Sequence, residues 1–302
     1  MKYVFVLNPA AGKNNKILDY VQEVQKHCKK QGASYEIHVS ESGEGIISYV
    51  KHIGCTAKET VRIYAVGGDG TLNNVVNGAI GFSQLEIGVI PMGTGNDFVK
   101  NIGVSLKDFF DIEKQLNGIS KKIDVIAFGD QYCVNMVNIG FDARVGLGMP
   151  KFKGIPLVTN KMAYNLSVAE NVLGKLGRYI EVYADDKTVY KGELLLTSVA
   201  NGKSCGGGFY TNPNASVDDG FIDVCMIKAP KKIHLATFFK NISAGTHVDT
   251  EPTKSMTKNI KCKKLRIRTE EVNKIANDGE ECLLEDILFE VKEQAISFIV
   301  PN

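Results

Sequence analysis

The sequence predicts an α/β domain with a parallel sheet over residues 1–124 and a mainly antiparallel β domain over residues 125–302. Three observations carry that prediction. The first part of the chain alternates short apolar runs with runs of helical period, the pattern of βα units. Two glycine-rich turns, Gly67-Gly68-Asp69-Gly70-Thr71 and Pro91-Met92-Gly93-Thr94-Gly95-Asn96-Asp97, each follow an apolar run that reads as a buried strand. Beyond Asp124, short strand-like runs separated by Asp- and Gly-containing turns take over.

Tyr3–Leu7 reads as the first strand, and the turn at Pro9-Ala10-Ala11-Gly12 leads to a helix with Ile17, Val21, Val24 and Cys28 at helical spacing. Tyr35–Val39 is the second strand, followed by a helix with Ile46, Val50 and Ile53 on one face. Val61–Val66 feeds the first glycine turn, and Leu72, Val75, Val76 and Ala79 stripe the helix that the turn opens. Leu85–Ile90 feeds the second turn. Ser105 with Asp108 three residues on reads as a capping box, with Phe109, Ile112 and Leu116 as the apolar face behind it. Ile123–Phe128 and Tyr132–Ile139 read as strands paired around Gly129-Asp130. A helix with Met162, Leu166, Ala169 and Leu173 on one face comes next. Tyr179–Ala184, Glu193–Ala200, Phe221–Ile227, Lys263–Thr269 and Ile287–Val291 are the strands of the β domain, and the tail Ala295–Val300 suits a strand in either domain.

Composition narrows the class. The chain has 302 residues, 44% hydrophobic and 23% charged, enough apolar material for two cores. A net charge of +2 gives no electrostatic footprint for nucleic acid. Seven cysteines with no C-x-x-C pair read as reduced thiols of a cytoplasmic protein, not as a disulfide frame or a zinc site. No apolar run reaches the ~20 residues that span a bilayer. Oligomeric state is not encoded, and a homodimer is compatible with the sequence.

The two turns carry the chemistry. Backbone N–H groups at a strand–turn–helix corner bear partial positive charge and bind anions, phosphate above all. Asp69 and Asp97, one in each turn, would repel a phosphate unless a cation sat between them. The combination reads as nucleotide phosphate with Mg²⁺. Alone, Gly67–Thr71 also fits an ordinary tight turn with a capping Asp. Two such turns at the carboxyl ends of strands favour the ligand reading.

G-G-D-G-T-L-N at Gly67–Asn73 followed by P-x-G-T-x-N-D at Pro91–Asp97 resembles the diacylglycerol kinase catalytic domain. That family includes bacterial soluble diacylglycerol kinases, related bacterial lipid kinases and sphingosine kinases. Asn8-Pro9-Ala10-Ala11-Gly12-Lys13 is similar to its N-P-x-x-G-K start, and Asn138-Ile139-Gly140-Phe141-Asp142-Ala143 to its N-x-G-F-D-A segment. Gly206-Gly207-Gly208 followed by Pro213, Ala215 and Asp219-Gly220 fits as well, as does Asp278-Gly279-Glu280.

The resemblance implies a Rossmann-like first domain shared with NAD kinases, and an ATP- and Mg²⁺-dependent lipid kinase forming phosphatidic acid from diacylglycerol. It assigns the nucleotide to Asn8, Pro9, Ala10, Ala11 and Gly12, to Ser40, to Gly67, Gly68, Asp69, Gly70, Thr71, Leu72, Asn73 and Asn74, and to Thr94. It makes Asp69, Asp97 and Asp124 a water-bridged network around the catalytic Mg²⁺, and Glu280 the general base. It puts a structural cation on the Asp219 carboxylate, with main-chain carbonyls of Ser216 and Phe221. Asn74 stands where many relatives carry Glu, so it lacks that negative charge.

The implied chemistry is coherent. A lipid hydroxyl is a weak nucleophile, and a carboxylate at hydrogen-bond distance can take its proton as the bond to phosphorus forms. The base comes from the second domain and the nucleotide turns from the first, which predicts a site in the cleft between them. On residues alone, Asp278-Gly279 is more often a hairpin turn than a catalytic loop, Asp218-Asp219-Gly220 is an ordinary turn and Asp124 a strand-edge carboxylate with no special claim.

Basic groups cluster at Lys228, Lys231 and Lys232, and at Lys258, Lys261, Lys263, Lys264, Arg266 and Arg268. Lys151, Lys153 and Lys161 flank apolar Phe152, Ile155 and Leu157, so Met149–Val158 is the expected lipid-facing loop. Peripheral contact with an anionic membrane follows at ~1 kcal/mol per basic residue near the surface. An NAD kinase would share G-G-D-G-T but not the other motifs, and a binding protein without activity would not need Asp69, Asp97, Asp124 and Glu280.

Overall fold

The computed structural model describes residues 1–9, 14–40, 42–153, 155, 158–206 and 208–302. The chain divides into two compact units. One holds Met1–Val125, Val217–Asp219 and Lys292–Asn302, and the other Ile126–Ser216 and Gly220–Val291. Where the sequence predicts one boundary near residue 124, the chain passes between the units four times. The reason lies in two excursions that local pattern does not reveal: a three-residue return at Val217–Asp219, and a last strand that continues from one unit into the other.

In the first unit β1 (Lys2–Leu7) leads through α1 (Asn14–Gln31) to β2 (Ser34–Val39), then α2 (Gly43–Thr56), β3 (Val61–Gly67), α3 (Asp69–Ala79) and β4 (Leu85–Pro91). Every pairing is parallel: β1 with β2, β1 with β3, and β3 with β4. The order β2-β1-β3-β4 puts the topological switch point between β1 and β3, the place where open α/β sheets bind ligands at their carboxyl ends. One face packs Phe5, Leu7, Tyr64, Val66 and Ile90 against Tyr20, Val24 and Cys28 of α1. Phe5 stacks on Tyr64 at 5.0 Å, and the Tyr64 hydroxyl donates to the Gln115 carbonyl at 2.8 Å.

The expected capping box is replaced by a later cap. Ser105 Oγ accepts from Lys107 N, and Asp108 opens a single 3₁₀ turn in which its carboxylate pairs with Lys114 at 2.6 Å. The cap is Asp111, whose carboxylate accepts the N–H groups of Glu113 and Lys114 at the start of α4 (Ile112–Leu116). Asp111 satisfies two orphan donors at once, which Ser105 cannot do from its place in the turn.

The second unit is an antiparallel β sandwich. β5 (Ile119–Phe128) enters it and pairs with β6 (Gln131–Cys133), and β7 (Met136–Gly140) follows. The single strand expected at Tyr132–Ile139 is therefore broken at Val134-Asn135. Next come α5 (Phe141–Gly148), α6 (Pro150–Lys153) and α7 (Asn160–Leu173). After them β8 (Arg178–Ala184) and β9 (Lys187–Leu194) form a hairpin, with β10 (Leu196–Ala200) and β11 (Ile222–Ile227) beyond it. The expected strand Glu193–Ala200 splits because Leu195 turns its N–H to Ile227 and its carbonyl to Phe141 N.

α8 (Leu235–Ser243), a short helix α9 (Thr253–Met256) and β12 (Thr257–Cys262) precede two long strands, β13 (Lys264–Asn277) and β14 (Glu280–Val300). β13 pairs with β8 through Leu265–Thr269 and with β7 through Ile275–Asn277, so one bent strand serves both neighbours. Its register against β14 shifts between Arg268 and Asn273, where it bends. Ile139, Val182, Val224, Ile267, Ile275 and Phe289 meet inside, and α5 and α8 cover an outer apolar layer with Phe141, Leu235 and Phe238.

Helix α7 buries a different face from the stripe that the sequence offers. Met162, Leu166 and Leu173 are 48%, 41% and 84% exposed, while Ala163 and Ser167 are buried. Close packing decides it. Ser167 Oγ donates to the Val145 carbonyl at 2.8 Å, and a Cβ on Gly148 would stand 2.6 Å from that oxygen. Only small residues on α7 allow this approach to α5.

Candidate active site

The four parallel strands end in one register row. Leu7 lies opposite Val39 on one side and Val66 on the other, Val66 opposite Ile90, and Gly67 opposite Pro91. The residues that come next are Asn8, Ser40, Gly67 and Pro91, so one sheet edge gathers the strand ends to which the resemblance assigns the nucleotide. Asn8 N donates to Val66 O at 3.4 Å, and Ser40 N to Leu7 O at 3.0 Å. Ser40 is buried, and its hydroxyl donates to the Ser42 carbonyl at 3.1 Å. Ala10 to Gly12 of the expected nucleotide loop, with Lys13, lie outside the described residues, as do Gly207 and the Gly154, Pro156 and Leu157 part of the expected membrane loop.

The two glycine turns meet backbone to backbone at Gly68 and Gly93. A Cβ on Gly93 would stand 2.5 Å from Gly68 Cα, and one on Gly68 would stand 3.2 Å from Gly93 Cα. Met92 N donates to Gly67 O at 2.8 Å and ties the turns together. Asn96, at φ 49°, holds the second turn from within. Its carbonyl oxygen accepts Gly93 N at 3.0 Å, and its amide donates to Pro91 O and Gly93 O at 3.0 and 2.9 Å. The sequence quotes Asn96 inside the motif but gives it no role. A non-glycine residue that adopts left-handed backbone in a tight turn was the available signal.

Within the first turn the residues divide by task. Gly68 and Asp69 are half-buried at the helix start. Thr71, Leu72 and Asn73 are buried, and the Thr71 hydroxyl lies 2.3 Å from where a Gly67 Cβ would be. Asn73 accepts from Asn77 within the helix. The Asn74 carboxamide lies against Gly43 at the start of α2, 2.7 Å from a would-be Cβ. Thr94 is exposed.

Asp69 and Asp97 converge. A Cβ on Gly95 would meet Asp69 Oδ2 at 3.1 Å and Asp97 Oδ2 at 3.2 Å, so both carboxylates face one small volume. Asp69 Oδ1 accepts Phe98 N at 3.1 Å, and Lys100 pairs with Asp97 Oδ1 at 2.5 Å. Burial pushes the Asp69 carboxyl above its ordinary range and the Asp97 charge adds to that, against the pull of the Phe98 and Asp97 N–H groups and Lys100. Lys100 escaped the sequence reading, although its spacing from Asp97 is the signal of an i,i+3 pair.

Asp124, also in this unit, is buried and accepts Gln294 N at 2.7 Å, while its own N–H donates to Val217 O. The two facing carboxylates fit a hard cation. Their donor set is all oxygen, and a charge of opposite sign between them would relieve their repulsion. No group of three or more His, Cys, Asp or Glu side chains stands ready to hold a metal among the described residues, so water and phosphate would complete such a shell.

In the second unit Glu280 is exposed at the start of β14, across the Asp278-Gly279 turn from Asn277. Both turn residues have positive φ, 46° and 93°, as a type I′ hairpin requires. Asp142, on the first turn of α5, has neither oxygen in a hydrogen bond of normal geometry. Burial pushes its carboxyl up to about 7, only partly offset by the N–H groups of Ala143 and of Asp142 itself and by Arg144. Of the expected cation turn, Asp219 belongs to the first unit and Ser216 and Phe221 to the second. Asp218 pairs with Lys121 at 2.8 Å, and Lys263 lies over the Phe221 ring at 5.7 Å.

Known proteins are similar to this chain in sequence and fold. The family model for the diacylglycerol kinase catalytic domain matches residues 2–128, and that for the YegS C-terminal NAD kinase beta sandwich-like domain matches residues 135–300. The chain belongs to the diacylglycerol kinase and YegS family. It is 28% identical over 282 residues to a Shewanella frigidimarina protein named "Probable lipid kinase YegS-like", covering 90% of this chain and 86% of that one. A Bacillus anthracis crystal structure titled "putative diacylglycerol kinase" superposes with a TM-score of 0.76 at 22% identity, over 100% of this chain and 96% of that one. An Archaeoglobus fulgidus NAD kinase solved in complex with ATP shares the fold at a TM-score of 0.51 and 13% identity, over 100% and 94% of the two chains. Both halves of the expected fold are thus found in this family member, the parallel α/β domain and the antiparallel sandwich, and its activity class is that of a lipid kinase.

Proposed function

We propose that this family member is an ATP- and Mg²⁺-dependent diacylglycerol kinase, transferring the γ-phosphoryl group to the free lipid hydroxyl to give phosphatidic acid. The observation that carries the reading is the meeting of Asp69 and Asp97 at Gly95, on the sheet edge where Asn8, Ser40 and Gly67 also fall. N–H groups of the Gly67–Thr71 turn and the start of α3 would receive phosphate oxygens. Asp69 and Asp97 would hold Mg²⁺ through water, with Asp124 as the third carboxylate of the network. Bound there, Mg²⁺ offsets the charge on the β- and γ-phosphates.

Glu280 takes the hydroxyl proton as the oxygen attacks phosphorus and ADP leaves. Its exposed position suits a group that must meet a substrate brought from outside. Asn74 replaces a charged group with a neutral one that hydrogen-bonds, and the Asp219 turn would take a structural cation. The enzyme would act in the cytoplasm, touching anionic membrane through its lysine clusters and the exposed Met162, Leu166 and Leu173 of α7. No described helix is long and apolar enough to cross a membrane.

The test is transfer of labelled γ-phosphate from ATP in mixed micelles of diacylglycerol, monoacylglycerol, ceramide or sphingosine, with NAD as soluble control and chelator as metal control. Mg²⁺-dependent label in phosphatidic acid alone is expected. Label in another lipid or in NAD would overturn the acceptor. Undiminished turnover by Glu280→Gln would refute the base.

A further inference from the structure

The carboxylate two residues before Glu280 does not behave as a turn residue. In an Asp-Gly hairpin the Asp supplies left-handed backbone, and its carboxylate ordinarily stays in water. Here Asp278 reaches the start of β7, the strand paired with β13, and the bend before it, 142–145 residues earlier in the chain. Oδ2 accepts Val134 N at 2.9 Å and Asn135 N at 3.3 Å. Oδ1 accepts Met136 N at 2.8 Å and the Cys133 thiol at 3.4 Å. The Asp278 N–H donates to Met136 O at 3.1 Å. Three successive peptide N–H groups closing on one anion form a nest, and charge-assisted bonds of this kind are stronger and more directional than neutral ones. Two of those peptides, at Val134 and Asn135, are where the sequence expects continuous strand and the structure breaks it.

The bend is itself a hub. Asn135 O accepts the N–H groups of Asn201 and Gly202 at 2.8 and 2.9 Å, and Asn135 Nδ2 donates to Ser204 O at 3.0 Å. Val134 O accepts Asn201 Nδ2 at 3.0 Å. One carboxylate thereby links the hairpin that carries Glu280 to the loop leading into the 206–208 glycines.

We propose that Asp278 is a positioning residue, whose bonds to the 134–136 bend set the place of Glu280 in the proton-transfer step. The proposal rests on Glu280 being the general base. Asp278 touches neither substrate nor nucleotide in this scheme. It fixes the turn, and misplacing a catalytic group by about 1 Å can cost about 100-fold in rate.

Asp278→Asn is the first variant, because it keeps the shape but turns an amide donor toward an N–H donor. Its kcat should fall by about 10- to 100-fold with KM for ATP unchanged. Combined with Glu280→Gln it should cost nothing beyond Glu280→Gln alone, since Asp278 acts only through that group. Independent additive losses would overturn the proposal, because a general loosening of the fold would add to the loss of the base. Amide hydrogen exchange, read without activity, should show Val134, Asn135 and Met136 faster in Asp278→Asn by more than the amides of β10 and β11. Unchanged protection there would overturn the anchor whatever the kinetics. If Glu280→Gln retains full turnover while the exchange result stands, the base assignment fails and the anchor survives. Should Asp278→Asn fail to fold, Asp278→Glu supplies the same readouts with the charge retained and its reach altered.

Discussion

Replacing Gly93 by Ala should separate the two glycine turns. The added Cβ would stand 2.5 Å from Gly68 Cα and 3.0 Å from Asn96 Oδ1. Carbon pairs rest at about 3.5–4.0 Å, so backbone must give by about 1 Å, with no flexible side chain to absorb it. The Met92 N–Gly67 O bond, 2.8 Å long, spans the same contact and would stretch beyond useful length. Overpacking of this kind costs about 1–3 kcal/mol, and an unmade buried backbone bond about 1–3 kcal/mol more. A total of about 3 kcal/mol should appear as a lower urea midpoint. Calorimetry should show ATP affinity lowered together with it, because Asp69 and Asp97 no longer face one point. Gly146→Ala is the control. It lies in α5 with no atom within 4 Å of its would-be Cβ, and should be neutral or stabilise by up to ~1 kcal/mol. A Gly93→Ala protein with native urea midpoint and native ATP affinity would refute the reading that backbone contact between the turns builds the site.

Three further outcomes follow from particular contacts. Asn96→Ala should lose about 2 kcal/mol or more through left-handed strain and three lost hydrogen bonds. Asn96→Gly should recover only the backbone part, which urea unfolding can separate. Asp111→Ala should cost about 1 kcal/mol and Ser105→Ala less than about 0.5 kcal/mol, since Asp111 is the true cap. Asp142 has a folded pKa of about 7, above its unfolded value, so the favourable difference is complete below the unfolded pKa and lost as pH rises through about 7. Asp142→Asn cannot ionise. Its stability relative to the native chain should therefore grow from pH 4 to pH 8, by at most on the order of 4 kcal/mol, and a pH-independent difference in thermal midpoint would contradict the burial argument.

The parallel domain was legible because each glycine turn must follow a strand and begin a new element, so its residues declare their conformation locally. Asp69, Asp97 and their strand ends could be named from spacing alone, and register then brought them to one edge. Asp278 was legible as a turn residue but not as an anchor, because its partners lie 142–145 residues away. The α7 helix was found and its buried face was not. Two stripes share its helical period, and the choice fell to the small residues Ala163 and Ser167, which hydropathy undervalues. β13 and β14 read as short strands because charged residues such as Glu270, Glu285 and Glu293 interrupt the alternation, though the backbone runs on through them.

β14 has a consequence for how the chain is made. Its last residues, Ser297 and Phe298, pair with Glu86 and Ile87 of β4, and Phe298 packs edge-on against Phe98 at 5.1 Å. The parallel sheet therefore lacks this strand until β14 has left the ribosome. Through synthesis of about 200 intervening residues β4 presents unpaired backbone, the kind of edge that recruits foreign strands. The parallel domain is thus begun before the sandwich and completed after it, and a chain stopped after residue 125 would carry every residue of the two glycine turns yet leave the sheet beneath them unfinished.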